Sequence, residues 1–272
     1  MLFRAFHALP SSIRGKDGRP VNALLGTANL ILREVEGHRP RAVVLCFGPD
    51  AAHYRVTLYP AYHADRSDAP EELLEQFAEA ESFFSAFGWT IADHDSLEAD
   101  DLLGAYARRE AESGGRALIM TGDRDLFQCA SERVTILYVR TGRQGAEEVG
   151  PAEVVRRYGV SPDLVPDFIA LRGDPSDGIP GAKGVGEKTA AELLQRCGSL
   201  EQAIAGALRE QRPALRSALH DAREELVMFK ELATLRDVEV ELPPDRETDF
   251  DEAARAAGER GLRRLAERLE RH

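Results

Sequence analysis

Seven carboxylates in three short clusters, Glu98/Asp100/Asp101, Asp123/Asp125 and Asp174/Asp177, are the residues of this chain best suited to chemistry. Packed together without cations they would repel and raise one another's pKa. Oxygen-only ligands suit Mg²⁺ or Mn²⁺, and no thiol or imidazole grouping offers a zinc site. Two such ions about 3.5–4 Å apart can activate water and stabilise the leaving oxygen of an in-line phosphoryl displacement. Asp123 and Asp125, two apart on extended chain, point the same way and can grip one ion. Glu98 and Asp101 share a face of the helix they head. The helix dipole already favours acids in a first turn, but three in the four positions 98–101 is more than it requires.

The third cluster opens the run 171–194, LRGDPSDGIPGAKGVGEKTAAELL, where Gly181, Gly184 and Gly186 precede an apolar-periodic segment that reads as a helix. Glycine lets the main chain approach a ligand closely, and free N–H groups at a helix start attract anions. A P-loop is excluded, because Gly186 is followed by Glu187 with Lys188 one place late, and the run follows Pro175, Gly178 and Pro180 instead of a buried strand. Two readings remain. One is a plain glycine-rich connection. The other is a helix–hairpin–helix that holds a nucleic-acid backbone without reading sequence, with Gly181, Lys183, Gly184, Val185, Gly186, Lys188 and Thr189 as its interface.

Strand ends and helix starts must position these acids. Val21, Leu24, Leu25, Ala28 and Leu32 are spaced for a helix, and residues 41–47 (RAVVLCF) read as a buried parallel strand. Apolar residues at 73, 77, 80, 84 and 87 predict an amphipathic helix after Pro70. Residues 89–92 and 116–120 read as strands, the latter delivering Asp123 and Asp125 to a carboxyl end, where open parallel sheets place ligands. A strand over 134–139 precedes a charged turn over 140–150, and the rest is mostly helical. Within 54–66, Tyr54, Arg55, Tyr59, Tyr62, His63 and Arg66 could stack on bases and meet phosphates; a solvated loop with packed tyrosines explains them equally. His94 sits between two acids and is left unassigned.

At 272 residues the chain can bury a good core. No apolar run approaches membrane-spanning length, and the start lacks a secretion signal's pattern. Cys46, Cys129 and Cys197 lack CxxC spacing and fit a reducing, cytoplasmic setting. The net charge of −12 counts against nucleic acid as a partner unless the acids cluster around cations.

EADD (98–101), TGDRD (121–125) and GDPSDGIPGAKGVGEKTA (173–190) resemble the 5′ nuclease domain of bacterial DNA polymerase I and the stand-alone flap endonucleases. RAFHALP (4–10), DGRPVNA (17–23), YPAYHADR (59–66) and LATLRDVEVEL (232–242) extend the likeness over nearly the whole chain. The resemblance implies an α/β fold: a PIN-like parallel-sheet nuclease core over 1–150 and a helical helix–three-turn–helix DNA-binding subdomain over 151–272. It implies two Mg²⁺ or Mn²⁺ ions on the acids, K⁺ at the glycine-rich hairpin, and His63 and Arg66 as catalytic cations. Arg55 and Tyr62 join the hairpin as DNA contacts. The substrates it implies are branched or flap DNA and RNA–DNA primers. A DNA-binding module that does not cut is the alternative.

The chain departs from the family in three places. Family members carry a first strand ending in a metal-binding Asp ahead of the segment like RAFHALP. Here that segment begins near Met1, so the expectation is a start placed too late. The family's Phe-Asp is Phe47-Gly48, with Asp50 as a possible substitute, and its Lys in YPxYK is His63, a weaker cation at neutral pH. Polymerase-fused members continue beyond RLAERLERH, and the expectation is a free-standing enzyme.

Overall fold

Amphipathic stripes become helices and short apolar runs become strands along most of the chain. The computed structural model describes residues 1–140 and 145–272. The order opens with α1 (Leu2–Ala8), α2 (Asn22–His38), β1 (Val44–Phe47), α3 (His53–Leu58), α4 (Glu71–Ser85), β2 (Thr90–Asp93), α5 (Ala99–Glu112), β3 (Ala117–Thr121), β4 (Val134–Val139) and β5 (Ala146–Val149). Helices α6 (Pro151–Tyr158), α7 (Val165–Arg172), α8 (Glu187–Cys197), α9 (Leu200–Ala205), α10 (Pro213–Asp221), α11 (Arg223–Ala233), α12 (Phe250–Glu259) and α13 (Arg263–Leu269) follow.

Among the described residues the strands form two separate sheets. β1 pairs with β2 in parallel, Val44 opposite Thr90 and Phe47 opposite Asp93. β3 pairs with β4 in parallel, and β4 with β5 antiparallel. Strand β5 lies where a charged turn was expected. Its sequence, AEEV, has no apolar alternation and is a strand because β4 offers it an edge. Residues 141–144 of that expected turn lie outside the described residues. The run 41–47 is a strand only over Val44–Phe47, and just Leu45 of it is buried. A strand expected to be covered on both faces is half open.

Two cores hold the chain together. One joins Leu24, Leu32, Phe83, Phe84 and Trp89 to residues of α12 and α13 such as Ala253 and Leu265. The other joins Ile119, Ile136 and Val149 of the second sheet to helices α6–α11. Packing therefore crosses residue 150 in both directions. Helix α5 packs against both β1 and β3, tying the two sheets together from one face.

Helices α7 and α8 flank the glycine-rich hairpin. Gly173 and Gly181 have φ of 85° and 70°, and a Cβ on Gly181 would lie 2.4 Å from the Gly173 nitrogen. The hairpin closes this tightly only because both are glycine.

Candidate metal centre and nucleic-acid interface

The carboxyl ends of β1 and β3 and the start of α5 open into one cleft of about 2460 Å³, lined by Glu98, Asp100, Asp123, Asp125, Asp174 and Asp177. Each acid is held by its own local device. Glu98 is the N-cap of α5 and forms a reciprocal capping box with Asp101. Asp123 accepts the Asp125 N–H at 2.9 Å, folding the turn after β3, while its own N–H donates to Thr121 Oγ1 at 3.0 Å. Asp174 accepts the Ser176 N–H at 2.9 Å and an Arg172 guanidinium N–H at 3.2 Å. Asp177 accepts from Arg66 at 3.1 Å and faces His63 Nε2, also at 3.1 Å.

The electrostatics separate these acids into two kinds. Burial, then the charges of Asp123 and Glu98, pushes Asp100 up to about 7. Burial, then the charges of Asp177 and Asp174, raises Asp123. Burial, with Asp123, Asp177, Asp174 and Asp100 as further causes, raises Asp125 well above the carboxylate range. Carboxylates from three segments thus repel one another at one place, the environment a divalent cation relieves. Oxygen donors of this kind fit Mg²⁺ or Mn²⁺. Among the described residues, no three such groups are already drawn to metal-holding distance.

Asp101 has another role. Its side chain is fully buried and accepts from Arg55 Nη1 at 3.0 Å and Nη2 at 2.9 Å, the Tyr54 hydroxyl at 3.1 Å and the Arg236 N–H at 2.9 Å. With both oxygens engaged, Asp101 is a structural partner of Arg55. Arg55 is buried as well. It is 2% exposed and also donates to the Leu232 carbonyl at 3.1 Å, tying α3 to α5 and α11. Tyr62 is buried too; its hydroxyl donates to Glu98 at 3.1 Å and its ring stacks on His63 at 3.9 Å. The aromatic and basic run thus braces the acids from inside.

On the rim, Asp50 pairs with Arg66 at 3.0 Å. A Cβ on Gly48 would lie 2.1 Å from the Leu97 carbonyl oxygen, which leaves no room there for any side chain. In the hairpin, Lys183, Gly184, Gly186 and Lys188 are exposed, and Gly181 and Thr189 are half-buried. Val185 instead packs in the core, and its N–H donates to the Ala182 carbonyl at 3.0 Å. Gly186 heads α8 with no side-chain cap, leaving that helix start open to an anion. Sequence reasoning passed over Arg172, which spans Asp174 and Glu187 (3.2 Å each) and covers Phe168. Its position directly before the GDPSD run was the available signal.

Residues 1–159 match the model of the 5′-3′ exonuclease N-terminal resolvase-like domain, and residues 160–255 that of the 5′-3′ exonuclease C-terminal SAM fold. The chain belongs to the 5′-3′ exonuclease family. It is 40% identical over 227 residues to a 5′-3′ exonuclease of Mycobacterium tuberculosis, covering 76% of this chain and 71% of that one. It is 36% identical over 251 residues to DNA polymerase I of Mycobacterium bovis, covering 90% of this chain but only 27% of the polymerase. Among solved structures, a bacteriophage T5 D15 flap endonuclease complex with DNA and metal ions aligns with a TM-score of 0.68 at 16% identity, over 91% of this chain and 89% of that one. The catalytic core of Rad2 with DNA substrate aligns at 0.63 and 16% identity, over 99% and 87%. These likenesses agree with a mixed α/β fold of parallel strands and a helical C-terminal part. No helix among the described residues is long and apolar enough to cross a membrane.

Proposed function

We propose that this chain is a divalent-metal-dependent 5′ nuclease that hydrolyses phosphodiesters at the 5′ flaps or ends of branched DNA and RNA–DNA primers. The observation that carries the reading is the mutually repelling set of Asp100 at the start of α5 and Asp123 and Asp125 just after β3, with Asp174 and Asp177 at the mouth of the glycine hairpin. Mg²⁺ or Mn²⁺ bound there, two ions in the fullest case, would supply an activated water and stabilise the leaving oxygen. Asp100, Asp123, Asp125 and Asp174 would hold them, with Glu98 and Asp177 beside.

Arg66 stands at the mouth of the same cleft as the cation for the scissile phosphate, with His63 beside it as a hydrogen-bonding group, once metal relieves Asp177 of its contacts with them. Tyr62 and Arg55 keep Glu98 oriented. Gly181, Gly184, Gly186 and the open start of α8 meet the duplex backbone, Lys183, Lys188 and Thr189 flank them, and K⁺ is the cation proposed there. The three free cysteines fit a cytoplasmic setting.

A second reading is a module that binds branched DNA without cutting it. Gly48 favours it, because no ligand fits there. An end-labelled 5′-flap duplex incubated with Mg²⁺, Mn²⁺ or EDTA distinguishes the two. Metal-dependent cleavage near the junction supports the nuclease; binding without cleavage under any metal leaves the binding module.

A further inference from the structure

Two arginines stand beside the acids where the cleft meets the glycine hairpin. Arg124 lies between Asp123 and Asp125 in the turn after β3, and Arg172 ends α7 just ahead of Gly173 and Asp174. Both line the cleft.

Neither is a loose surface side chain. The Arg124 Nε–H donates to the Tyr138 hydroxyl at 3.1 Å, and Tyr138 is itself buried in β4 with its ring against Phe127. Arg172 lies over the Phe168 ring, 5.5 Å from its centroid, and its Nε–H donates to the Gly173 carbonyl at 2.9 Å. Each guanidinium is thus fixed through its Nε, which leaves the two terminal nitrogens for a partner at the rim. A fork of donors held in this way suits a phosphate.

The other cations of the cleft mouth are matched differently. Arg66 is held by Asp50 and Asp177, and Arg55 by Asp101 and Glu98. The terminal nitrogens of Arg124 have no hydrogen-bond or ion-pair partner among the described residues. Those of Arg172 reach Asp174 and Glu187, each at 3.2 Å. Glu187 is also the carboxylate among the main influences on Arg124, and the charges of both arginines act on Tyr158. The two guanidiniums therefore flank one spot, and the group that fills it is the Glu187 side chain, 65% exposed. An exposed ion pair holds weakly. A phosphodiester bridging both arginines is the better occupant, and a strand that touches both the acids and the hairpin has to cross this spot.

We infer, on the reading that the chain binds branched DNA, that Arg124 and Arg172 clamp one internal phosphodiester of the bound strand between the acids and the glycine hairpin, displacing Glu187. Phosphate contacts position a nucleic acid without reading its sequence. What the clamp sets is the register of the strand against the acids.

The test uses a series of 5′-flap duplexes, each with one uncharged methylphosphonate linkage, and measures binding with Ca²⁺ in place of Mg²⁺. Binding is the readout, so the result does not depend on whether the chain cuts. One linkage near the junction should weaken binding to the wild-type chain and have no effect in Arg124→Gln/Arg172→Gln. Linkages that meet the hairpin should matter equally in both. The double variant should bind the unmodified flap about tenfold more weakly, with a salt slope lower by about 1 because one phosphate is no longer neutralised. Glu187→Gln, which removes the competing carboxylate, should bind several-fold more tightly. The same linkage profile in wild type and double variant would overturn the clamp, as would a Glu187→Gln chain that binds no more tightly. A wild-type chain that does not bind the flap at all would overturn the nucleic-acid reading itself, and the clamp with it.

Discussion

Asp100 and Asp101 are adjacent in sequence, yet they belong to two electrostatically opposite regions. Asp101 lies against Arg55, with Tyr54 and two backbone N–H groups closing every remaining direction. Asp100 faces Asp123 and Glu98, and the one cation among the main influences on it is the buried α-amino group of Met1. One carboxylate is paired with a guanidinium; the other lies mainly among like charges. Carboxylate type and spacing do not by themselves make a metal site. What distinguishes the two is whether a guanidinium hydrogen-bonds the carboxylate directly, as Arg55 does Asp101, or like charges dominate around it.

The largest effect should come from the uncompensated side. Asp123→Ala should lower single-turnover flap cleavage on the order of 10³-fold or more, roughly 4 kcal/mol of barrier, without loss of fold by circular dichroism. An unchanged rate would remove Asp123 from the chemistry.

Next is the compensated side. Arg55→Met leaves Asp101 and Glu98 unpaired in a buried place and should cost about 3–5 kcal/mol in denaturant unfolding. Adding Asp101→Leu should return much of that loss. If the double variant is as unstable as the single one, the ion pair is not what Arg55 contributes.

The two regions should also differ in pH dependence. Acids whose folded pKa lies above its unfolded value bind more protons when folded, so stability falls as pH rises between those values. For Asp100 the window runs from the ordinary carboxylate value of 3.8 to about 7, and Asp123 and Asp125 act in the same direction. In EDTA the melting temperature should therefore drop across that window, by roughly 2–4 °C for each kcal/mol involved. Mg²⁺ should raise it more at pH 8 than at pH 5. A flat profile in EDTA would mean that the acids are compensated after all.

The smallest effects belong to the hairpin. Lys183→Ala or Lys188→Ala should each weaken duplex binding several-fold and lower the salt slope by about 1, with cleavage at saturating DNA unchanged.

Much of this was legible in the sequence. The strand ending before Asp123, the helix headed by Glu98 and the hairpin with Gly181 and Gly184 follow from local periodicity and turn chemistry, and each lies where expected. Partnership across the fold was not legible. Arg55 reads as a surface cation among tyrosines until α11 brings the Leu232 carbonyl to it from 177 residues away. Val185 reads as part of an exposed hairpin until its side chain enters the core. AEEV reads as a turn until β4 supplies an edge.

The contrast between Asp100 and Asp101 is tested most directly by calorimetric titration of Mn²⁺ into the wild-type chain and into the Asp100→Asn and Asp101→Asn variants. Metal binding should be lost or weakened at least about tenfold in Asp100→Asn, a change of roughly 1.4 kcal/mol, and retained in folded Asp101→Asn. Retention in Asp100→Asn with loss in folded Asp101→Asn would contradict the account.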